Sequence, residues 1–344
     1  MSKTNTGNFF EDYRLGQIIR HATPRSVGTG ERAVYTSLYP TRHALASSDS
    51  FAQSCGFDRA PLDDLIAFHT VFGKTVPDIS LNAVANLGYA EGRFLRPVFP
   101  GDTLSAVSEV IGLKENSNGK TGIVWVRTKG HNQTGDEVLS YCRWVMVRKR
   151  DAASPSPETV VPDLQKSVAA DDLFLPDDMI FDAYDTNLSG EPHVFGDYEI
   201  GEHIDHVDGV TLTDAEHMMA TRLWQNTAKV HFDVNARPDG RRLIYGGHVI
   251  SMARALSFNG LANAQTLLAI NGGAHANPAM AGDTIFAGST ILDKATTPEP
   301  SIGALRIRLI AAKTPVTSAE IRDENGKYLP EILLDFDIWV SVPV

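Results

Sequence analysis

An internal duplication constrains this chain more than any other feature. Phe10 to Ile18 reads FEDYRLGQI and Phe195 to Ile204 reads FGDYEIGEHI, so the frame Phe-x-Asp-Tyr-x-apolar-Gly occurs once in each half. GRFLRPVFPGDT (Gly92 to Thr103) and GAHANPAMAGDT (Gly273 to Thr284) share Gly, Pro and Gly-Asp-Thr in the same order. A repeat this long means that one folding unit is present twice. The 344 residues agree, being too many for one ordinary core and enough for two units of ~150 residues.

Each half carries the same sequence of patterns. Gly122 to Gly130 and Leu139 to Val147 alternate apolar and polar residues, as do Ala304 to Ala312 and Leu333 to Val342, which predicts antiparallel strands. Turn chemistry lies between them, HNQTGDE in the first half and DENGK in the second. Upstream, APLDDLIAFHTVFGKTV and GGHVISMARALSFNGLANA are apolar at helical spacing with few polar interruptions, which predicts a buried helix in each half. The expected class is therefore α+β, with an antiparallel sheet around a central helix, twice. Residues 1–150 form the N-terminal unit and 193–344 the C-terminal one. Between them, 151–192 is a linker and covering segment: Asp151 to Asp163 is rich in Pro, Ser and Ala, and 164–192 is acidic and weakly patterned.

Composition narrows the partners. A formal charge of -11 without a basic, aromatic-studded cluster argues against nucleic acid, while a small anionic ligand needs only a few local cations. No run of ~20 apolar residues and no leader pattern argues for membrane insertion or export. Cys55 and Cys142 both stand in apolar surroundings, which fits reduced thiols and a cytoplasmic location. Neither zinc-spaced Cys/His clusters nor phosphate-binding Gly-rich loops stand out, and no serine elbow does either.

The chemistry concentrates in the second half. Thr213 and Glu216 form a capping box, so a helix begins there and carries Met218, Met219, Leu223 and Trp224 inward. A polar loop follows, with Asn226 five residues before His231, and Gly246-Gly247-His248 then opens the next apolar helix. His231 can move protons near neutral pH, and Asn226 can hold a water or hydroxyl. Free N–H groups at Gly246 and Gly247 can stabilise an oxygen atom as it becomes anionic. His248 is a secondary candidate for the same cavity.

The stretch Gln225-Asn226-Thr227-Ala228-Lys229-Val230-His231 resembles the loop of the (R)-specific enoyl-CoA hydratases and MaoC-like dehydratases, which reads Gly-Asp-x-Asn-Pro-apolar-His. His231 and the apolar residue before it are kept, whereas the family's Asp is Asn226 and its Asn-Pro pair is Ala228-Lys229. In the first half the corresponding positions fall near Thr41 and Ala46, and Asp63 and Asp64 stand where Gly246 and Gly247 stand in the second. An anionic helix cap would repel an enolate oxygen, so one catalytic centre per chain is expected, with the N-terminal half shaping its pocket.

On the segments SLYPTRHALASSDSFAQSCGF, APLDDLIAFHTVFGKTVPDIS and LWQNTAKVHF, nearly the whole chain resembles the mesaconyl-CoA hydratase (β-methylmalyl-CoA dehydratase) family of fused double hot-dog proteins within the MaoC-like group. The resemblance implies a tandem hot-dog fold and reversible hydration of mesaconyl-CoA to β-methylmalyl-CoA. It also implies a place in acetyl-CoA and glyoxylate assimilation, the ethylmalonyl-CoA pathway, and no metal or redox cofactor. A homo-oligomer is compatible with it. Another (R)-specific 3-hydroxyacyl-CoA hydratase, an itaconyl-CoA hydratase, an acyl-CoA thioesterase and a non-catalytic acyl-CoA binder remain alternatives. A dicarboxylic substrate brings a second negative charge, so the pocket should supply an arginine fork. Arg42, in the degenerate first-half loop, is the first choice, with Arg96 and Arg222 behind it.

Overall fold

In the computed structural model, which describes residues 3–344, the repeated motifs become repeated turn chemistry. Phe10–Asp12 and Phe195–Asp197 are single 3-10 turns. Each is closed by its own aspartate: Asp12 Oδ2 accepts from Phe9 N–H at 2.9 Å and Asp197 Oδ2 from Val194 N–H at 2.8 Å. Asp102 and Asp283 close the two Gly-Asp-Thr turns in the same way, accepting from Phe99 N–H and Met280 N–H at 2.8 Å. These side chains satisfy backbone donors that a turn would otherwise leave unpaired.

Five strands follow from each half. The first supplies β1 (Ile18–Ser26), β2 (Ala83–Phe94), β3 (Thr103–Glu115), β4 (Thr121–His131) and β5 (Glu137–Arg148). The second supplies β6 (His203–Thr211), β7 (Leu267–His275), β8 (Thr284–Thr296), β9 (Ile302–Ala312) and β10 (Ile332–Pro343). They form one sheet in the order β1-β3-β4-β5-β2-β7-β10-β9-β8-β6, which is one five-strand order followed by its mirror image. The seam is the antiparallel pair β2–β7, with Tyr89 opposite Gly273 and Arg93 opposite Ala269. The four strands expected from alternation are β4, β5, β9 and β10.

Two helices lie against this sheet as the cores of the two hot-dog units, α2 (Asp64–Thr75) and α4 (Gly246–Leu256). A shorter helix precedes each, α1 (Thr29–Leu38) and α3 (Asp214–Leu223). Nearly every residue of α2 and α4 is buried, as their all-round apolar sequences require. The helices touch through polar groups as well: His69 of α2 hydrogen-bonds Ser251 Oγ of α4 at 2.8 Å and the hydroxyl of Tyr245 at 3.2 Å.

The segment between the halves runs across the seam. Val160 exchanges two backbone bonds of 2.9 Å with Leu113. Gln165 N–H donates to Glu91 of β2 at 2.9 Å, and Val168 N–H to Asn271 of β7 at 2.8 Å. Further on, Met179 and Phe181 pack with Leu45 and Phe51 of the first half. Among the described residues no helix is long and apolar enough to cross a membrane. Cys55 and Cys142 are free and buried.

Candidate active site

The site is assembled on the loop between α3 and α4. Thr213 caps α3 as the sequence predicts, its Oγ1 accepting from Glu216 N–H at 3.3 Å while Glu216 accepts from Thr213 N–H at 3.1 Å. The inward face agrees at Trp224, which is buried, and in part at Leu223 and Met218, which are half-buried, but Met219 is 51% exposed and His217, Ala220 and Thr221 are buried instead. The register is set by His217, whose Nε2 accepts the Tyr245 N–H at 2.9 Å just ahead of α4. A polar residue faces inward because it satisfies a backbone donor there, and apolar counting misses that.

The first half clamps the loop that follows. A Cβ on Gly73 of α2 would lie 1.7 Å from the Trp224 carbonyl oxygen, so only glycine lets the helix and loop approach this closely. Lys74 donates to the side-chain oxygen of Gln225, and Arg25 to the Leu223 carbonyl. Asn226 is thereby held 2% exposed, its N–H donating to the Thr221 carbonyl at 3.0 Å. Its Oδ1 accepts from Ala228 N–H at 3.2 Å, which leaves the NH2 group for a water or a substrate oxygen.

His231 sits on the one-turn helix Lys229–Phe232. Its Nδ1–H donates to the Leu243 carbonyl at 2.7 Å, fixing the tautomer and leaving the Nε2 lone pair free. Burial pushes its pKa down to about 4, against a partial rise from that backbone bond. The imidazole is therefore neutral at physiological pH and equipped as a base.

Asn226, His231 and Gly246 line one cavity of about 280 Å³. Its opposite wall comes from the first half through Phe72, Asn86, Tyr89 and Arg143. The loop at the start of α4 thus meets the first half across the pocket. Among the described residues no side chain caps α4. Gly246 is required because the ring of His275 occupies the Cβ position, and Gly247 because a Cβ there would lie 2.4 Å from the Tyr245 ring.

Three of the expected residues are not on the cavity wall; Gly247 is buried one position further into α4. His248 is fully buried behind the cavity, its Nδ1 bonded to the Tyr39 hydroxyl at 2.8 Å and its Nε2 without a partner. Arg42 is exposed, its guanidinium 4.2 Å from the centre of the Phe258 ring, and it is not on the cavity wall. Arg96 lines a different, much smaller cavity of about 30 Å³, and Arg222 is on an open groove. Among the described residues the cation on the main cavity is Arg143, which strand β5 hides in the alternating run LSYCRWVMV. His275 and Tyr89, joined at 3.2 Å, are also cavity residues that the sequence pattern did not single out. His275 could have been found from the repeat itself, because it replaces Phe94 in the matched GRFLRPVFPGDT and GAHANPAMAGDT elements.

The small cavity is the first-half counterpart of the main one. It is lined by Ala46, Asp63, Asp64, Phe94 and Arg96, with Phe174 and Met179 of the covering segment. Asp63 caps α2 by accepting from Leu65 N–H at 2.9 Å, and Asp64 accepts from Leu267 N–H at 2.8 Å. Burial raises the pKa of Asp64 to about 7, with the neighbouring Asp63 adding to the rise. Among the described residues, no three His, Cys, Asp or Glu side chains come together as a metal-binding group.

Comparison with known proteins matches residues 1–322 to the family described as mesaconyl-CoA hydratase. The chain is 68% identical over 341 residues to the mesaconyl-CoA hydratase of Cereibacter sphaeroides, covering 99% of each. It is 58% identical over 347 residues to the β-methylmalyl-CoA dehydratase of Chloroflexus aurantiacus, again covering 99% of each. A crystal structure of a MaoC domain protein dehydratase from Chloroflexus aurantiacus superposes with a TM-score of 0.97 at 57% identity, over 100% of this chain and 99% of that one.

Proposed function

This chain belongs to the mesaconyl-CoA hydratase family, and from that premise we propose that it reversibly hydrates mesaconyl-CoA to β-methylmalyl-CoA with His231 as its acid/base. The observation that carries the residue assignment is the convergence of a tautomer-fixed, neutral His231, a buried Asn226 and the uncapped start of α4 on one cavity. Its volume lies at the lower end for small-molecule pockets and suits a short acyl group better than a long chain.

In the hydration direction, the Asn226 NH2 group holds a water against His231 Nε2. The water oxygen bonds to the β-carbon as its proton passes to Nε2, and electron density moves onto the thioester oxygen. The N–H of Gly246, at the positive end of α4, receives that oxygen. His231 then returns the proton to the α-carbon, so that water has been added and the base restored. A buried imidazole with a low proton affinity is a weak base at rest, but the negative charge developing on the substrate beside it favours its protonated form. We read the reaction as needing no metal or redox cofactor, since proton transfer and oxyanion stabilisation complete it. We also place the protein in the cytosol, where two free buried cysteines are at home.

The test is direct. Purified protein is mixed with mesaconyl-CoA while the absorbance of the conjugated enoyl thioester is followed, with a thiol-reactive dye in parallel. Loss of absorbance without release of free CoA is expected, and release of CoA would assign a thioesterase instead.

A further inference from the structure

Arg143 is a buried cation without a counter-ion. Its side chain is fully enclosed at 0% exposure. Nη2 donates to Thr75 Oγ1 at 2.7 Å and to Ser80 Oγ at 3.1 Å, while Nε and Nη1 have no hydrogen-bond partner among the described residues. Among the described residues, no carboxylate forms an ion pair with it. The guanidinium centre lies 4.3 Å from the centre of the Phe72 ring, a contact that orients the plane without neutralising it. Removing an arginine from water without an anion is costly. A lone buried arginine of this kind calls for an anion.

A second observation points to the same place. Asn86, on the same cavity wall, has both side-chain atoms Oδ1 and Nδ2 buried without partners among the described residues. Asn86 and Arg143 belong to the β2–β5 ladder, in which Tyr89 lies opposite Arg143. Tyr89 in turn bonds His275 at 3.2 Å, and His275 lies against Gly246 where α4 begins. Unpaired donors on the first-half wall and the acid/base loop of the second half therefore share one chamber.

We propose that Arg143 and Asn86 form the site for the free carboxylate of a dicarboxylic acyl-CoA, and that they set the specificity of the pocket. The inference rests on the substrate class proposed above. A carboxylate in the chamber takes charge-assisted bonds from Nη1 or Nε of Arg143 and a further bond from Asn86 Nδ2. The degenerate half is then more than a wall: it supplies specificity and the C-terminal half supplies proton transfer. A monocarboxylic acyl-CoA of the same length leaves all these donors unpaired, which is a mechanism for rejecting it.

Binding separates this assignment from turnover. Methylsuccinyl-CoA is the saturated analogue of the dicarboxylic substrate, and in 2-methylbutyryl-CoA a methyl group replaces the free carboxylate. Titration calorimetry of the wild type should show methylsuccinyl-CoA binding about 100-fold more tightly, by the usual effect of a buried charge-paired contact. Arg143→Met should reduce that preference to about threefold or less, and Asn86→Ala should reduce it about tenfold. Equal binding of the two ligands to the wild type, or a preference unchanged in Arg143→Met, overturns the site. Should Arg143→Met fail to fold, Asn86→Ala on its half-buried strand position carries the same reading, and an unchanged preference there overturns it. Mesaconyl-CoA turnover by the wild type is measured alongside. Absent turnover with an intact carboxylate preference would remove the proposed reaction while leaving the anion site in place.

Discussion

A Cβ on Gly246 would lie 2.4 Å from Cε1 of His275, so the imidazole and a side chain at position 246 exclude each other. Gly246→Ala should therefore push His275 away from Tyr89, its partner at 3.2 Å, and tilt the N–H groups at the start of α4. Overpacking of this kind costs about 1–3 kcal/mol, and a displacement of about 1 Å in a catalytic group can cost about 100-fold in rate. Calorimetric melting and mesaconyl-CoA turnover of the variant check both effects. Wild-type values for the two together would mean that His275 moves freely and plays no part in holding the site.

His231→Ala should lower kcat/KM by about 100-fold or more while circular dichroism stays unchanged, the usual loss of a positioned acid/base. The pH profile is sharper evidence. With its pKa near 4, His231 is already neutral at pH 6, so kcat/KM should stay level from pH 8 to pH 6 and fall only toward pH 4. Brief pH-jump assays keep acid unfolding out of the measurement. A decline centred near 6.5 would instead identify a solvated histidine as the base.

Asn226 tests the departure from the aspartate of the related loops. Asn226→Ala removes the amide that holds the water and should lower kcat by about tenfold or more. Asn226→Asp substitutes a carboxylate in a pocket that must also accept the substrate's own negative charge, and like charges at such range oppose one another. Its loss should be larger for a dicarboxylic acyl-CoA than for crotonyl-CoA. Equal losses on both would mean that the substrate carboxylate lies far from Asn226.

How far the sequence speaks for itself follows from which forces are local. The closed turns at Asp12, Asp102, Asp197 and Asp283 and the cap at Thr213 are satisfied within a few residues, so the duplication and the start of α3 are readable directly. The loop placing Asn226 and His231 on the cavity is legible for a different reason, its likeness to the MaoC-like loop, because the contacts that hold it come from the first half. Arg143 is not, because its significance lies in a missing partner. An arginine in an alternating strand is ordinarily a solvated outward residue, and only tertiary packing shows that β5 carries it inward onto Phe72. Arg42 illustrates the converse. Nearness in sequence to the degenerate loop put it first, yet that loop carries it outward onto Phe258.

A single catalytic centre has its own test in the first-half loop. Thr41 is buried, 3.3 Å from His43, and Ala46 borders the small cavity, which the covering segment and Phe94 largely fill. Neither lies on the main cavity. Thr41→Ala and Ala46→Ser should change kcat/KM by less than about threefold, with any cost appearing in melting temperature instead. A large kinetic loss from Thr41→Ala at unchanged stability would show that the first-half loop takes part in the chemistry.

The buried histidines also predict how the fold responds to acid. His69, His206, His217 and His248 are all at 0% exposure. Burial holds their pKa values down, to about 3 for His69 and His217 and about 4 for His206 and His248, from an ordinary value near 6.5. Between those limits the unfolded chain binds protons that the folded chain refuses, so stability rises with pH across the window and is lost as pH falls through it. Each such group contributes a slope approaching about 1.4 kcal/mol per pH unit well below 6.5. Urea unfolding at pH 8, 7, 6 and 5 should accordingly give nearly constant histidine-linked stability between 8 and 7 and a steepening loss toward 5. His206→Gln, which keeps a polar side chain near Asn259 and Ser289, should flatten that loss by roughly one proton's share. Stability independent of pH between 7 and 5 would mean that these imidazoles are protonated in the folded chain, and His231 could not then be assumed neutral beside them.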